Sequence, residues 1–167
     1  ENISNEADLI QIYDMAFAKL GLKVNIRLNH RGILDAFAPW LQGGNNHSRF
    51  MQLIDKADKI GFEGVLNEIK NEAIPNGAEA WTLLHNISCL ENTEQKLHAL
   101  QAAEAIQNDA LKNGISEIMQ LLNLIKNLPT TNILTLDVTL ARGLSYYTGM
   151  VMEVVPADAR IPGDYRI

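Results

Sequence analysis

The sequence predicts an α+β fold in which a long helical segment is set between short strands. Apolar residues alternate with polar ones over residues 23–28, and a period of two is typical of a half-buried strand. The alternation returns at residues 133–140, and residues 149–155 form a further apolar run. Between them, residues 30–127 follow helical spacing almost throughout. We therefore expect one sheet interrupted by an inserted helical domain.

The first element is an amphipathic helix predicted at residues 6–20. Asn5 is the expected N-cap, and Gly21 is the expected stop signal. The apolar residues recur at three- and four-residue spacings and so share one face: Leu9, Ile10, Tyr13, Phe17 and Leu20. The helix, the glycine turn and the strand at 23–28 make one αβ unit.

The central segment is predicted to contain several helices separated by glycine and proline breaks. Trp40 and Trp81 lie on apolar faces, so we expect them in the core. Pro129 ends the last helix. The predicted helices are 31–41, 48–60, 62–71, 78–86, 93–111 and 114–127.

Composition excludes several classes of function. The formal net charge is −6 and no long basic run occurs, which argues against non-specific nucleic-acid binding but not against a local RNA contact. No stretch of about 18 apolar residues is present, so no membrane span is expected. Cys89 is the only cysteine, expected to pack at least half-buried in a protein of the reducing cytoplasm. None of the four histidines has the spacing of a zinc motif, and we predict no metal site.

The densest cluster of chemically capable residues is the string from Leu140 to Gly149. Arg142 beside Gly143 can present a planar cationic fork to a phosphate or carboxylate. Tyr146 and Tyr147 point to opposite faces of an extended chain, so one can line a pocket while the other packs. Spacing alone leaves open a simple turn with an exposed arginine and two packing tyrosines.

The string ARGLSYYTG, followed by residues 150–154, resembles the histidine-specific motif of histidyl-tRNA synthetases. Residues 24–34 resemble the family's strand that leads into a helical insertion, and residues 54–61 resemble a helix inside that insertion. The resemblance covers nearly the whole chain, in the family's order and at its separations.

The resemblance implies a helical insertion domain set into part of an antiparallel class II synthetase sheet. Residues 1–31 and 129–167 would belong to the catalytic core, and residues 32–128 would form the insertion domain. The chain begins at Glu1 without a methionine and stops just beyond a predicted strand. We therefore expect a piece of a longer enzyme that is inactive by itself.

The resemblance also implies an activity, in which histidine is activated with ATP to histidyl-adenylate and then transferred to tRNA(His). Arg142 matches the family's catalytic arginine, which contacts the α-phosphate of ATP. Gly143, Leu144, Tyr146 and Tyr147 match positions that bind histidine or ATP. Mg²⁺ would accompany the ATP, and the intact enzyme would be a homodimer.

Ser145 departs from the family pattern, because this position usually carries an acidic residue. Two alternatives therefore stay open. One is a non-catalytic synthetase-like protein, such as a regulatory subunit of histidine biosynthesis, and the other is a helical tRNA-binding module. The long insertion and the intact arginine and tyrosines favour the synthetase.

The insertion domain of this family clamps the acceptor end of tRNA. The candidate contacts here are basic residues of the predicted helices, namely Arg49, Lys56, Lys59 and Lys70. Each can equally be a solvated surface charge. Asp55 and Asp58 lie nearby, would oppose phosphate binding, and are expected to pair with the flanking lysines.

Overall fold

The computed structural model describes residues 2–141 and 148–157. Seven α-helices, three strands and one 3-10 turn make up this part of the chain. Their order is α1 (Ile3–Lys19), β1 (Val24–His30), α2 (Arg31–Asp35), α3 (Gly44–Ile54), α4 (Ala57–Asn71), α5 (Gly77–Ser88), α6 (Thr93–Ala102), the 3-10 turn (Glu104–Ile106), α7 (Asp109–Ile125), β2 (Ile133–Leu136) and β3 (Met150–Pro156).

The three strands form one sheet with β1 in the centre, in the order β2-β1-β3. β1 runs antiparallel to β3, with Val24 opposite Pro156 and His30 opposite Met150. It runs parallel to β2, with Leu28 opposite Leu136. The expectation of an antiparallel sheet therefore holds for one pair and is wrong for the other. The helical insert supplies the long crossover that a parallel pair requires.

Capping residues fix both ends of α1. The side chain of Asn2 accepts a hydrogen bond from the Ser4 N–H, so the predicted cap at Asn5 is wrong. At the other end, the Leu22 N–H donates to the carbonyl of Phe17 at 3.0 Å, and Gly21 has a φ of 69°. This left-handed conformation favours glycine, and the predicted stop signal is confirmed.

One face of the sheet packs against α1 and α7. Ile26 and Leu28 of β1 and Val154 of β3 are 1 %, 1 % and 4 % exposed. They join a buried cluster with Ile10 of α1 and Leu121 of α7, among others. The opposite face of β1 carries polar residues, which form the candidate site described below.

The helical insert has its own aromatic and aliphatic core. Trp81 is 1 % exposed and Trp40 is partly buried against the same cluster, which confirms the tryptophan predictions. Trp81 also donates its indole N–H to the Phe62 carbonyl at 3.1 Å. Cys89 is exposed at the C-cap of α5, so the prediction that it packs half-buried is wrong.

The largest error in the predicted elements concerns the end of the insert. The sequence pattern placed one helix at 93–111, whereas α6 ends at Ala102 and α7 begins at Asp109. Asn108 caps α7 by accepting from the Leu111 N–H, and the Gln107 amide donates to the Leu100 carbonyl. Capping by polar side chains therefore outweighs continuous helical periodicity here.

Other boundaries shift by smaller amounts. The helix predicted at 31–41 closes at Asp35, and the one predicted at 48–60 is divided between α3 and α4. Within the α4 range, Gly61 has a non-helical backbone conformation (φ 68°, ψ −179°) that separates two helical stretches, so the predicted helix break at this glycine is confirmed. Among the described helices, none combines the length and the apolar character needed to cross a bilayer.

Two glycines let α2 approach α7 closely. A Cβ atom on Gly32 would lie 2.5 Å from the carbonyl oxygen of Ala110. A Cβ on Gly114 would lie 2.9 Å from His30 Nδ1 and 3.2 Å from the Ile33 backbone nitrogen. This contact places the start of the insert directly against α7, one of the two helices that cover the sheet.

We predict that Gly114→Ala destabilises the chain, although alanine is the better helix former. Helix propensity alone would give a gain of about 1 kcal/mol. The close contact instead predicts a loss of about 1–3 kcal/mol from overpacking. Urea unfolding followed by circular dichroism measures the sign. Asn113→Ala, at the exposed neighbouring position, is the control and should be neutral or stabilising; a stabilising Gly114→Ala would contradict the packing account.

Candidate active site

The predicted site residues Arg142, Gly143, Leu144, Tyr146 and Tyr147 lie outside the described residues, as does Ser145. The structure describes the chain on both sides of them. Ala141 is buried on one side, and Gly149 precedes β3 on the other. The candidate site is therefore defined by the residues that hydrogen-bond to these two flanking segments.

Both flanks are attached to the C-terminal end of β1. The Arg31 N–H donates to the Gly149 carbonyl at 2.8 Å. The side-chain amide of Asn29 donates to the carbonyls of Val138 and Leu140 at 3.2 and 3.0 Å. One short stretch of the central strand thus fixes the chain entering residues 142–147 and the chain leaving them.

Asn29 is completely buried, with 0 % of its surface exposed. Because both side-chain amide hydrogens are used, the two backbone carbonyls set the orientation of the Asn29 side chain. Its Oδ1 atom has no hydrogen-bond partner within the described part of the chain. An asparagine here therefore stabilises a loop conformation, which an apolar residue of similar size could not do.

The residues after β2 form a turn organised by Asp137. The Asp137 N–H donates to the Leu28 carbonyl at 2.8 Å, which keeps this residue against β1. The Asp137 carboxylate accepts from the Thr139 N–H at 3.0 Å and from the Thr139 hydroxyl at 2.6 Å. The Leu140 N–H donates to the Asp137 carbonyl at 3.0 Å. Such side-chain to backbone bonds define a single turn geometry.

Arg27 joins this turn to two other parts of the chain, and we name Arg27, Asp58, Asp137 and Glu153 the Arg27 cluster. The guanidinium donates through Nε to Asp137 at 2.6 Å, through Nη1 to Glu153 at 2.8 Å, and through Nη1 to Asp58 at 3.2 Å. Burial raises the pKa of Asp137, but the Arg27 charge and the Thr139 hydrogen bonds outweigh it and hold that pKa below its ordinary value. Asp137 is therefore a carboxylate at neutral pH.

Lys96 provides a second polar contact between the insert and the sheet. It lies on α6, is 6 % exposed, and donates from Nζ to the Leu136 carbonyl at 2.8 Å. Lys96 lines a cavity of about 310 Å³ together with Arg27 and Asp137 of the Arg27 cluster. Asn25 and Thr135 also line this cavity. Larger depressions of about 480 and 520 Å³ lie between α6 and α7, away from these groups.

Two of the candidate tRNA contacts are paired with acidic residues. Arg49 donates to both carboxylate oxygens of Glu72, at 2.5 and 2.6 Å. Lys56 lies 3.8 Å from Glu68. Asp58 contacts Arg27 at 3.2 Å, and the expected pairing of Asp55 and Asp58 with their neighbouring lysines stays a prediction.

Lys59 and Lys70 are exposed on α4. Neither has an ion-pair partner among residues 2–141 and 148–157. Of the four candidates, these two ammonium groups are the more available for a phosphate. Within the same ranges, no cluster of three or more histidine, cysteine, aspartate or glutamate side chains could hold a metal ion.

Sequence reasoning missed Arg27, Asn29, Asp137 and Lys96. The pattern assigned Arg27 and Asn29 to the polar side of a half-buried strand, where side chains are expected to meet solvent. A usable signal existed, because Arg27 and Asp137 carry opposite charges on the polar faces of strands predicted to join in one sheet. Lys96 left no comparable signal, because helical periodicity does not distinguish a buried lysine from an exposed one.

Comparison with known proteins gives consistent results. A family model described as histidyl-tRNA synthetase matches residues 1–162. The chain is 37 % identical over 161 residues to a histidine–tRNA ligase of Phocaeicola vulgatus, covering 96 % of this chain and 35 % of that protein. It is 38 % identical over 156 residues to one of Christiangramia forsetii, covering 92 % of this chain and 34 % of that protein. The chain thus spans about a third of the length of these relatives.

Solved structures share the fold. A histidyl-tRNA synthetase from a Nostoc species superposes with a TM-score of 0.80 at 23 % identity, covering 93 % of this chain and 37 % of that one. A Bacillus halodurans protein described as an ATP phosphoribosyltransferase regulatory subunit/histidyl-tRNA synthetase gives 0.75 at 19 % identity, covering 96 % and 41 %. At these identities the likeness concerns the fold alone.

We predict that Asn29→Ala destabilises the chain by about 1–3 kcal/mol, because it leaves two buried carbonyls without their donor. Asn25→Ala is a matched control, since it is the same residue type on the same face of the same strand and no described hydrogen bond uses its amide. Urea unfolding of both variants gives the comparison. Equal losses in the two variants would show that Asn29 acts only through strand propensity.

Proposed function

The chain belongs to the histidyl-tRNA synthetase family, and on that premise we propose that it works as part of a class II histidine–tRNA ligase. In the proposed reaction, the carboxylate of histidine attacks the α-phosphorus of ATP. A bond forms between them, the bond to the pyrophosphate oxygen breaks, and pyrophosphate leaves. The histidyl group is then transferred from the adenylate to the 3′ end of tRNA(His).

Arg142 is the proposed catalytic residue. A fixed guanidinium close to the α-phosphate stabilises the charge that develops as the carboxylate attacks, and this type of stabilisation is commonly a large part of phosphoryl-transfer catalysis. The single observation that supports this role best is the attachment of both flanks of residues 142–147 to β1, because a charge stabilises a transition state only when its position is fixed.

The neighbouring residues supply the proposed histidine pocket. Tyr146 and Tyr147 border the substrate imidazole, where a phenol can hydrogen-bond a ring nitrogen while its ring packs on the ligand. Gly143 and Leu144 provide backbone close to the substrates. Mg²⁺ enters with the ATP phosphates as part of the substrate. Ser145 removes a negative charge from this neighbourhood relative to the usual acidic residue.

Residues 32–128 are the proposed insertion domain, which holds the acceptor end of tRNA(His). Lys59 and Lys70 are the stronger candidates for phosphate contacts, because the charges of Arg49 and Lys56 are opposed by Glu72 and Glu68. The intact enzyme is proposed to be a homodimer of the cytoplasm.

A regulatory subunit of histidine biosynthesis is the second candidate. The observation in its favour is the shared fold with the Bacillus halodurans protein whose description includes that role. The two functions differ in catalysis and not in fold. Histidine-dependent adenylation therefore distinguishes them.

Histidine-dependent ATP–pyrophosphate exchange by the full-length protein tests the proposed function. We expect exchange in the unmodified protein and a loss of two or more orders of magnitude in Arg142→Ala, equivalent to at least about 2.7 kcal/mol of transition-state stabilisation. Lys112→Ala, an exposed cation on α7, serves as the control and should retain full activity. Near-normal exchange in Arg142→Ala would refute the catalytic role, and no exchange in the unmodified protein would favour the regulatory subunit.

The tRNA contacts are tested separately by aminoacylation. We expect the double substitution Lys59→Ala/Lys70→Ala to raise KM for tRNA(His) several-fold and to reduce the salt dependence of tRNA binding, because two phosphate contacts are lost. Pyrophosphate exchange should be unchanged. A KM equal to that of the unmodified enzyme would mean that these lysines are solvated surface charges.

A further inference from the structure

Charged side chains link two helices of the insert to the end of β2, α6 by direct contact and α4 through Arg27 of β1. Lys96 of α6 donates directly to the carbonyl of Leu136, the last residue of the strand. Asp58 of α4 accepts from Arg27, whose guanidinium also binds Asp137. The position of the insert is therefore linked by polar bonds to the chain five residues before Arg142.

The chain from Leu136 to Leu140 is held at successive residues. Leu136 pairs with Leu28 in the sheet, and the Asp137 N–H donates to the Leu28 carbonyl. Asn29 binds the carbonyls of Val138 and Leu140, as described above. Lys96 therefore adds to a series of bonds that fixes the five residues leading to Ala141.

The contacts around Lys96 give no reason why a charged side chain at this buried position would stabilise the fold. Lys96 is 6 % exposed as a residue, and the described partner of its ammonium group is a neutral carbonyl oxygen. No carboxylate oxygen of the described residues lies within 4.0 Å of Nζ. A buried ammonium without a counter-ion opposes folding. What the ammonium provides is a directed bond from a long side chain to one point on the strand.

We propose that Lys96 is a positioning residue for adenylation: it holds the end of β2 so that Arg142 is presented correctly to the α-phosphate. This inference rests on the proposed function of Arg142. It assigns to the insertion domain a part in the first half-reaction, which involves no tRNA. In this proposal, a side chain of the insert affects the rate of adenylation through its hydrogen bond to one backbone carbonyl of β2.

The test is single-turnover and steady-state adenylation by the full-length enzyme carrying Lys96→Met, with rates normalised to titrated active sites. Methionine keeps the length and apolar stem but cannot donate the bond. We expect kcat to fall about 10- to 100-fold, as small misplacements of a catalytic group do. KM for histidine and for ATP should be unchanged, because the interaction acts in the transition state. Lys96→Arg, which keeps a charged donor, should recover most of the rate.

Lys112→Met is the matched control, a lysine of the insert region whose side chain is 69 % exposed. Its adenylation should equal that of the unmodified enzyme. An unchanged kcat in Lys96→Met, or a loss fully accounted for by fewer titratable sites, would overturn the proposal. If Lys96→Met does not fold, Lys96→Leu, which also lacks a donor, is judged by the same criteria. Absence of adenylation in the unmodified enzyme would instead refute the function of Arg142 and is thus a distinct result.

Discussion

The structure depends on one guanidinium that is shared by three carboxylates from distant parts of the chain. Arg27 binds Asp58 of the insert, Asp137 after β2 and Glu153 of β3, and its side chain is only 19 % exposed. Since β1 is the central strand, the Arg27 cluster fixes both neighbouring strands and one insert helix relative to it. Removing Arg27 would leave three carboxylates without the cation they share, so this one side chain ties the three segments together.

The arrangement explains how an insert of about a hundred residues can interrupt a sheet without disturbing it. The insert begins at α2 and returns through α7, and these two helices meet across Gly32 and Gly114. His30 caps α2 by accepting from the Gly32 N–H, and its Nε2 lies 2.9 Å from Glu117 of α7. The points where the chain leaves the sheet and returns to it are thereby held together, next to the end of β1 that binds the chain on both sides of residues 142–147.

Much of the fold could be predicted from local patterns, because amphipathic spacing reports which side of an element is buried. The strand at 24–30, the helix ended by Gly21 and the buried Trp81 all follow from such patterns. The parallel pairing of β1 with β2 could not be predicted this way, since strand direction depends on the path of the insert. The helix break at residues 103–108 escaped because capping by Gln107 and Asn108 competed with periodicity.

The residues of the candidate site likewise fall into those that local sequence patterns predict and those that only the fold reveals. Arg142 and the tyrosines were found because the motif is contiguous, and their roles stay predictions. Arg27, Asn29 and Lys96 act through contacts with residues 31 to 126 positions away, which no local spacing reveals. Long-range contacts thus become visible only in the fold, whereas a contiguous motif is recognisable in the sequence itself.

The most direct measurement is a crystal structure of the full-length enzyme with a non-hydrolysable histidyl-adenylate analogue. The account predicts the Arg142 guanidinium at hydrogen-bonding distance, about 2.7–3.2 Å, from the analogue's phosphate oxygen. It also predicts that Asn29 still binds the carbonyls of Val138 and Leu140 and that Arg27 still binds Asp137. An analogue bound away from the end of β1, or Arg142 directed away from its phosphate, would contradict it.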